Sequence, residues 1–382
     1  MNERLATSAR YAGMYGGIFL IIGVMLPFWP LWLQSRGLDA TEIGIVFAIG
    51  AWVRVLTDPF VTHAADRSGN GRRMLIVCAA LCLLGFAGFI PAWGFWPIAA
   101  ATFFQSTFLR ALIPLSESQT MAAVLAEKLD YGRIRLWGSI TFILGALGTG
   151  PLLQHGDPDT VLWLVLGAAG LTLVAATLLP DRRGKPLEGG LAEVMPVLRD
   201  RPLLAFLLAA SLIQASHAVL YGFGTLHWKA AGHGETLIGW LWAGSVVVEI
   251  VLFAVSRPII ERVGSMRLLV LAAAAGVARW LLFAWSTALP ALVVGQVLHA
   301  ATFAAAHLAA VHFIARNAPP GLSATTQGLY AAISGTVMGL AMFLSGGLYA
   351  RLGGNAFVPM AAMCAASACV SLALWTVLRR RD

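Results

Sequence analysis

The chain has 382 residues, 59% of them hydrophobic and only 12% charged, and its mean hydropathy is +0.79. A water-soluble domain of this size needs roughly a quarter of its residues charged to cover its surface, so composition excludes that class and leaves lipid as the solvent. The formal charge of +8 lies in short clusters between apolar runs rather than on one continuous basic face. This excludes a nucleic-acid partner and matches loops held on the cytoplasmic side of a membrane.

Apolar runs long enough to cross a bilayer core of about 30 Å as helix predict spans near 11–34, 41–64, 73–92, 95–125, 134–154 and 158–179. A second set follows near 203–226, 236–260, 267–286, 289–315, 323–349 and 355–378. The first run is too long for a signal-peptide core and no small-residue cleavage site follows it, so it reads as the first span. Backbone in lipid must bond to itself, and alternating ten-residue strands are absent, so the fold class is an all-α membrane protein of twelve transmembrane helices in two pseudo-symmetric six-helix bundles. With a cytoplasmic N-terminus, 20 of the Lys and Arg residues fall in inside segments and only Arg36, Lys229 and Arg351 outside, so both termini are expected in the cytoplasm.

The longest polar stretch, 181–202, is expected to be a cytoplasmic linker between an N-terminal bundle, 1–180, and a C-terminal bundle, 203–382. A repeat supports that division. Asp66-Arg67-Ser68-Gly69 follows the second span and Glu261-Arg262-Val263-Gly264 follows the eighth, 195 residues later. Duplicated halves with a site at mid-membrane are a common plan for secondary transporters. The two acid-Arg turns are the candidate gating loops.

Charge inside the membrane costs about 2.5–3.5 kcal/mol on insertion scales, so each instance is a functional candidate. Six residues qualify: Arg54, Asp58, Arg110, Glu117, Glu249 and Arg279. Arg54 and Asp58, spaced i,i+4, either neutralise each other or leave Arg54 facing a cavity to bind an anion. The repeat offset sets Glu249 opposite Arg54. Glu117 is read as a substrate or proton-coupling carboxyl, or as a structural partner of Arg110 or Arg135. Glu249 and Arg279, on successive spans, are also candidates for an inter-helix ion pair. His299 and His307 bracket Thr302 on the tenth span; His299 is the functional candidate and His307 the structural one. His217 and Tyr221 form a polar-aromatic face on the seventh span. Phe28 and Trp29 are candidates to stack on a ligand, while Trp32 is expected in the interfacial aromatic belt.

Cys78, Cys82, Cys364 and Cys369 lie in apolar runs with no histidine or acid beside them, so free, inert thiols are expected. No P-loop, nucleophile elbow or metal-ligand cluster is present, so the chain is not expected to be an enzyme and no cofactor or metal is expected. Without a nucleotide site, uphill transport would draw on an ion gradient.

Several blocks resemble the major facilitator superfamily, and within it the phenylpropionate permease-like group related to oligosaccharide/proton symporters. They are Leu26-Pro27-Phe28-Trp29-Pro30-Leu31-Trp32-Leu33, Asp130-Tyr131-Gly132-Arg133-Ile134-Arg135-Leu136-Trp137-Gly138-Ser139, and Ser216-His217-Ala218 with Tyr221-Gly222-Phe223. Gly239-Trp240-Leu241-Trp242 leading to Glu249, and Leu298-His299 with Thr302-Phe303 and His307-Leu308-Ala309-Ala310, continue the match. The resemblance implies proton-coupled uptake, with aromatic carboxylates such as 3-phenylpropionate as the leading substrate class. By similarity to the more distant lactose permease, Glu117 and Arg135 match a substrate-binding pair, and Arg279 and His299 match a coupling pair. Thr302 stands where that relative has its proton-carrying carboxylate.

The substrate-binding set is therefore Phe28, Trp29, Arg54, Glu117, Arg135, His217, Tyr221 and Glu249. The proton-coupling set is Glu117, Glu249, Arg279 and His299, and the gating set is Asp66, Arg67, Glu261 and Arg262. The expected partners are a small-molecule substrate, protons and the lipid bilayer of a bacterial inner membrane, with the chain working as a monomer. A sugar or nucleoside symporter and a multidrug exporter are the alternative readings.

Overall fold

A computed structural model describes the backbone of residues 2–68, 70–181, 195–320 and 322–378; the side chains of Asn2, Arg54, residues 58–68, Ala324 and Leu378 lie outside that description. The described residues are nearly all helical. The first six long helices are α1 (Asn2–Ser35), α2 (Ala40–Ser68), α3 (Gly71–Ala87), α4 (Phe95–Glu127), α5 (Tyr131–Gln154) and α6 (Asp159–Leu178). The next six are α7 (Arg201–Ala230), α8 (Glu235–Ala254), α9 (Ser265–Trp285), α10 (Leu289–Asn317), α11 (Ser323–Leu352) and α12 (Phe357–Leu378).

Ten segments are long and apolar enough to cross a membrane. One of these, Thr325–Val377, holds both α11 and α12, divided by a 3₁₀ turn at Gly353–Ala356. Helix α3, with 17 residues, is the remaining long helix. Twelve long helices result among the described residues, in keeping with the expected fold class.

Several ends differ from expectation: α1 begins at Asn2 rather than near 11, α2 and α7 run about four residues further, and two helices stop early for a local reason. Helix α3 stops at Ala87 rather than near 92, because after Gly88 the ladder tightens to i→i−3 bonds, Phe89 N–H to Phe86 O and Ile90 N–H to Ala87 O, and the chain then passes Pro91 and Gly94, whose φ is +74°. Helix α8 stops at Ala254 and a separate short helix runs Ser256–Val263. The ring of Pro258 would clash with the carbonyl four residues back, at Ala254 itself.

The chain divides into two compact units, Met1–Glu188 with Gly232–Ala243, and Gly189–Ala231 with Gly244–Asp382. The start of α8 thus packs with the first unit. Most of the expected linker, 182–194, lies outside the described residues.

In the first unit α1 is central, lying along α5 and α6, while α3 packs on α4 and α6. With no hydrophobic drive between helices in lipid, close contact depends on small residues. Gly23 of α1 meets the backbone of Phe142 on α5 so closely that a Cβ would overlap the Phe142 carbonyl oxygen. A Cβ on Gly145 would in turn lie 3.1 Å from the Gly23 carbonyl carbon. Hydroxyls inside the helices bond back to their own backbone, as in Thr149 to Gly145 O (2.7 Å) and Thr172 to Ala168 O (2.8 Å).

In the second unit α9 lies along α12, and α7 is covered by α11 and α12. Phe206 of α7 stacks on Phe313 of α10 with centroids 3.7 Å apart. Both α7 and α10 contain a π-helical turn, at Leu220–Gly224 and Ala300–Ala304.

Trp32 corrects an expectation. It is fully buried rather than in an interfacial belt, stacked on Trp29 at 4.5 Å with Phe89 edge-on to both. Its indole N–H donates to Asp159 Oδ1 at 2.9 Å, and the same oxygen takes Arg36 Nη2 at 2.6 Å. A buried indole needs an acceptor, and the first residue of α6 supplies it. The exposed tryptophans at that end of the unit are instead Trp93, Trp96 and Trp163.

Replacing Gly23 with Leu should lower the melting temperature of the detergent-purified protein by several degrees, since overpacking costs about 1–3 kcal/mol or more against rigid backbone. Gly13→Leu, where a Cβ meets nothing within 4 Å, should leave it unchanged. Equal effects of the two would refute the close α1–α5 approach.

Candidate functional site

Among the described residues, charged groups of the long helices come together in each unit. In the first, α5 begins where Asp130 Oδ1 accepts the Arg133 N–H at 3.1 Å, an N-cap. That start puts Tyr131 and Arg135, i and i+4, on one face. Tyr131 Oη donates to Glu117 Oε2 on α4 at 2.9 Å. Arg135 Nε lies 3.9 Å from the other carboxylate oxygen, too far for a hydrogen bond.

The Arg135 guanidinium rests instead on α1, with Cζ 4.0 Å from the Phe19 ring centroid and 5.5 Å from that of Tyr15. Cation–π attraction of this kind is worth about 0.5–2 kcal/mol. No described residue accepts a hydrogen bond from either Arg135 amino group. The Ser116 hydroxyl is buried without a hydrogen-bond partner, and the Tyr15 hydroxyl, beside Glu117, lies within reach of Thr120 and Tyr131. Unsatisfied buried donors mark places where a ligand or water belongs.

The second cluster is sealed. Arg279 of α9 is fully buried and every acceptor around it is uncharged. Nη2 donates to Gln296 Oε1 at 3.0 Å, while Nη1 faces Thr302 Oγ1 at 2.9 Å, His217 Nε2 at 3.1 Å and His299 Nδ1 at 3.2 Å. Nε has no partner, and the guanidinium lies 4.5 Å from the Trp280 ring, whose own N–H donates to Ser216 Oγ at 2.9 Å.

This arrangement assigns the histidine tautomers. Arginine can only donate, and Nη1 shares two hydrogens among three neighbours, so a proton on His217 Nε2 or His299 Nδ1 is disfavoured where each faces it. His217 then carries its proton on Nδ1, which reaches the carbonyls of Ile213 and Gln214 at 3.1 Å each. His299 carries its proton on Nε2, which points at Glu249 Oε2 3.6 Å away. His299 thus stands between Arg279 and Glu249, the pair weighed from the sequence, 3.2 Å from one and 3.6 Å from the other.

The remaining candidates distribute as follows. Tyr221, half-buried, stacks on the His217 ring at 5.5 Å. Phe28 and Trp29 are enclosed in the first unit, Trp29 by Trp32, Phe86 and Phe89, so neither presents an open ring face. His307 is exposed with its ring edge-on to Phe253. Glu261 bonds Arg257 Nε at 2.9 Å on the surface, beside Arg262. The side chains of Arg54, Asp58, Asp66 and Arg67 lie outside the described residues. Tyr15, Phe19, Tyr131 and Gln296 were not singled out from the sequence. Tyr131, four residues before Arg135, and Gln296, three before His299, could have been found by helical spacing from the charged residue. Phe19 and Tyr15 carry no such signal.

A helical membrane protein with a partnered charge cluster in each unit has the construction of a solute carrier. The "MFS_1 like family" matches residues 9–358, and the chain belongs to that family: it is a membrane transporter of the major facilitator superfamily. It is 32% identical over 367 residues to a "Probable 3-phenylpropionic acid transporter" of Escherichia coli (strain K12), covering 93% of this chain and 94% of that one. It is 28% identical over 319 residues to the maltose permease of Geobacillus stearothermophilus, with 83% and 81% covered. Its fold matches the crystal structure of nucleoside transporter NupG with a TM-score of 0.84 at 15% identity, over 99% of both chains.

Thr302→Val keeps the volume but removes an acceptor from a buried charge. Hydrogen bonds to charged groups contribute about 1.5–3 kcal/mol, so a clear drop in ligand-free melting temperature is expected. An unchanged melting temperature would refute the assigned network.

Proposed function

We propose that this transporter takes up a small aromatic carboxylate, with 3-phenylpropionate as the leading candidate, in symport with protons. One observation carries the substrate reading. Arg135 is a cation on an aromatic platform whose amino groups are not engaged by its nearest carboxylate. A substrate carboxylate would take those donors as a charge-assisted, bidentate pair, with its ring near Phe19 and Tyr15. The likeness to the probable 3-phenylpropionic acid transporter supports the same class.

Coupling is assigned to the second cluster. Glu249 and the Nε2–H of His299 form a carboxylate–imidazole pair backed by Arg279, the kind of acid–base array that carries protons in transporters. Glu117 is the second candidate carrier. The Lys and Arg distribution supports an inner-membrane orientation with both termini cytoplasmic. The maltose permease likeness favours a neutral sugar as the rival reading. Competition of uptake by anionic against neutral solutes separates the two.

In proteoliposomes, an imposed inward proton gradient should drive accumulation of labelled 3-phenylpropionate. Glu249→Gln should lose accumulation while keeping exchange of internal for external substrate. Uptake indifferent to the gradient, or accumulation unchanged in both Glu249→Gln and Glu117→Gln, would overturn the coupling assignment.

A further inference from the structure

Donors and acceptors around Arg135 are unevenly shared, and Tyr131 is the cause. Its phenol fills one oxygen of Glu117 at 2.9 Å, while Arg135 stays 3.9 Å from the other. Arg135 can lean away because residue 138 is glycine. A Cβ there would lie 2.9 Å from Arg135 Nη1 and 3.0 Å from Phe19 Cδ2. The carboxylate is thus partly satisfied by a neutral hydroxyl of the protein, and the guanidinium keeps its amino groups.

Two kinds of solute would read this arrangement differently. A neutral solute bearing hydroxyls is held by a carboxylate with open oxygens, each accepting an O–H. Tyr131 already stands where one such hydroxyl would bind. An anion is repelled by that carboxylate and needs a guanidinium not spent on it. Remove the phenol, and Glu117 regains an open oxygen and a reason to close on Arg135.

We infer that Tyr131 sets the selectivity of this site for a carboxylate over a neutral, hydroxyl-bearing solute, by occupying Glu117 and so leaving Arg135 to the anion. The inference rests on the aromatic-carboxylate reading above and adds a selectivity residue to it. Tyr131 acts through its neighbours and is a positioning residue.

The test is binding by the purified full-length chain of 3-phenylpropionate and its neutral isostere 3-phenylpropan-1-ol, measured by calorimetry. The variants are Tyr131→Phe, which keeps the ring, Glu117→Gln, and the two together. Ligand-free melting serves as the fold control. Wild type should prefer the acid, and Tyr131→Phe should narrow the acid-to-alcohol ratio by about tenfold or more, in line with loss of a hydrogen bond to a charged group. Glu117→Gln removes the repelling charge and should widen the ratio by itself. Within that background Tyr131→Phe should leave the ratio nearly unchanged, because a neutral amide cannot quench Arg135; a purely structural role for Tyr131 narrows it there as much as in wild type. A ratio unchanged in Tyr131→Phe, or one narrowed as much by Tyr131→Phe in the Glu117→Gln background as in wild type, overturns the inference and leaves the uptake reading standing. Wild type that shows no preference for the acid overturns both.

Discussion

A fully buried guanidinium group, that of Arg279, organises the second unit. An ion so placed is tolerated only when its donors are met by well-placed acceptors. Those acceptors come from two helices, His217 on α7 and Gln296, His299 and Thr302 on α10. Trp280, beside Arg279 on α9, extends the set through Ser216 of α7, which also accepts from Cys364 of α12. The cation thus ties α9 to α7 and α10, and the neighbouring Trp280–Ser216–Cys364 bonds add α12. It also sets the proton positions on two histidines and so aims an imidazole N–H at Glu249.

The first unit handles its charges in the opposite way. Glu117 and Arg135 are both half-buried and only loosely paired. Aromatic rings and a phenol, rather than a closed lattice of hydrogen bonds, hold them. A sealed network suits a proton, which can pass along hydrogen bonds. A loosely satisfied, partly accessible pair suits a solute, which must enter and leave. The division of labour proposed above follows from that difference in burial and satisfaction.

Much of this was legible in the sequence, for identifiable reasons. Hydropathy located the twelve helices because lipid forces each crossing to be a long apolar run. Intramembrane charge marked Glu117, Glu249 and Arg279 as candidates because such residues are costly to place in lipid, and the fold gives each a polar neighbour. Trp32 was misread because an indole near a helix end suits both the interface and a buried bond to Asp159 127 residues away, and only the tertiary contact decides. The ring partners Phe19 and Tyr15 were hidden because an aromatic residue in a membrane helix is the ordinary filling of such a helix. The place of His299 between Arg279 and Glu249 depends on the direction of two ring nitrogens, which no spacing encodes.

The π turns in α7 and α10 have a geometric consequence. Each begins within three residues of a histidine of the Arg279 network, after His217 and immediately after His299. A π turn holds one residue more than an α turn, and each residue advances the helix by about 100°. Beyond either turn, the side chains are phased differently about the axis from those before it. A single helix can thus direct its histidine into the polar core on one side of the turn and present an independently chosen stripe on the other, as two short helices joined end to end would. Deleting one residue within either turn would rotate half a helix, not merely shorten it.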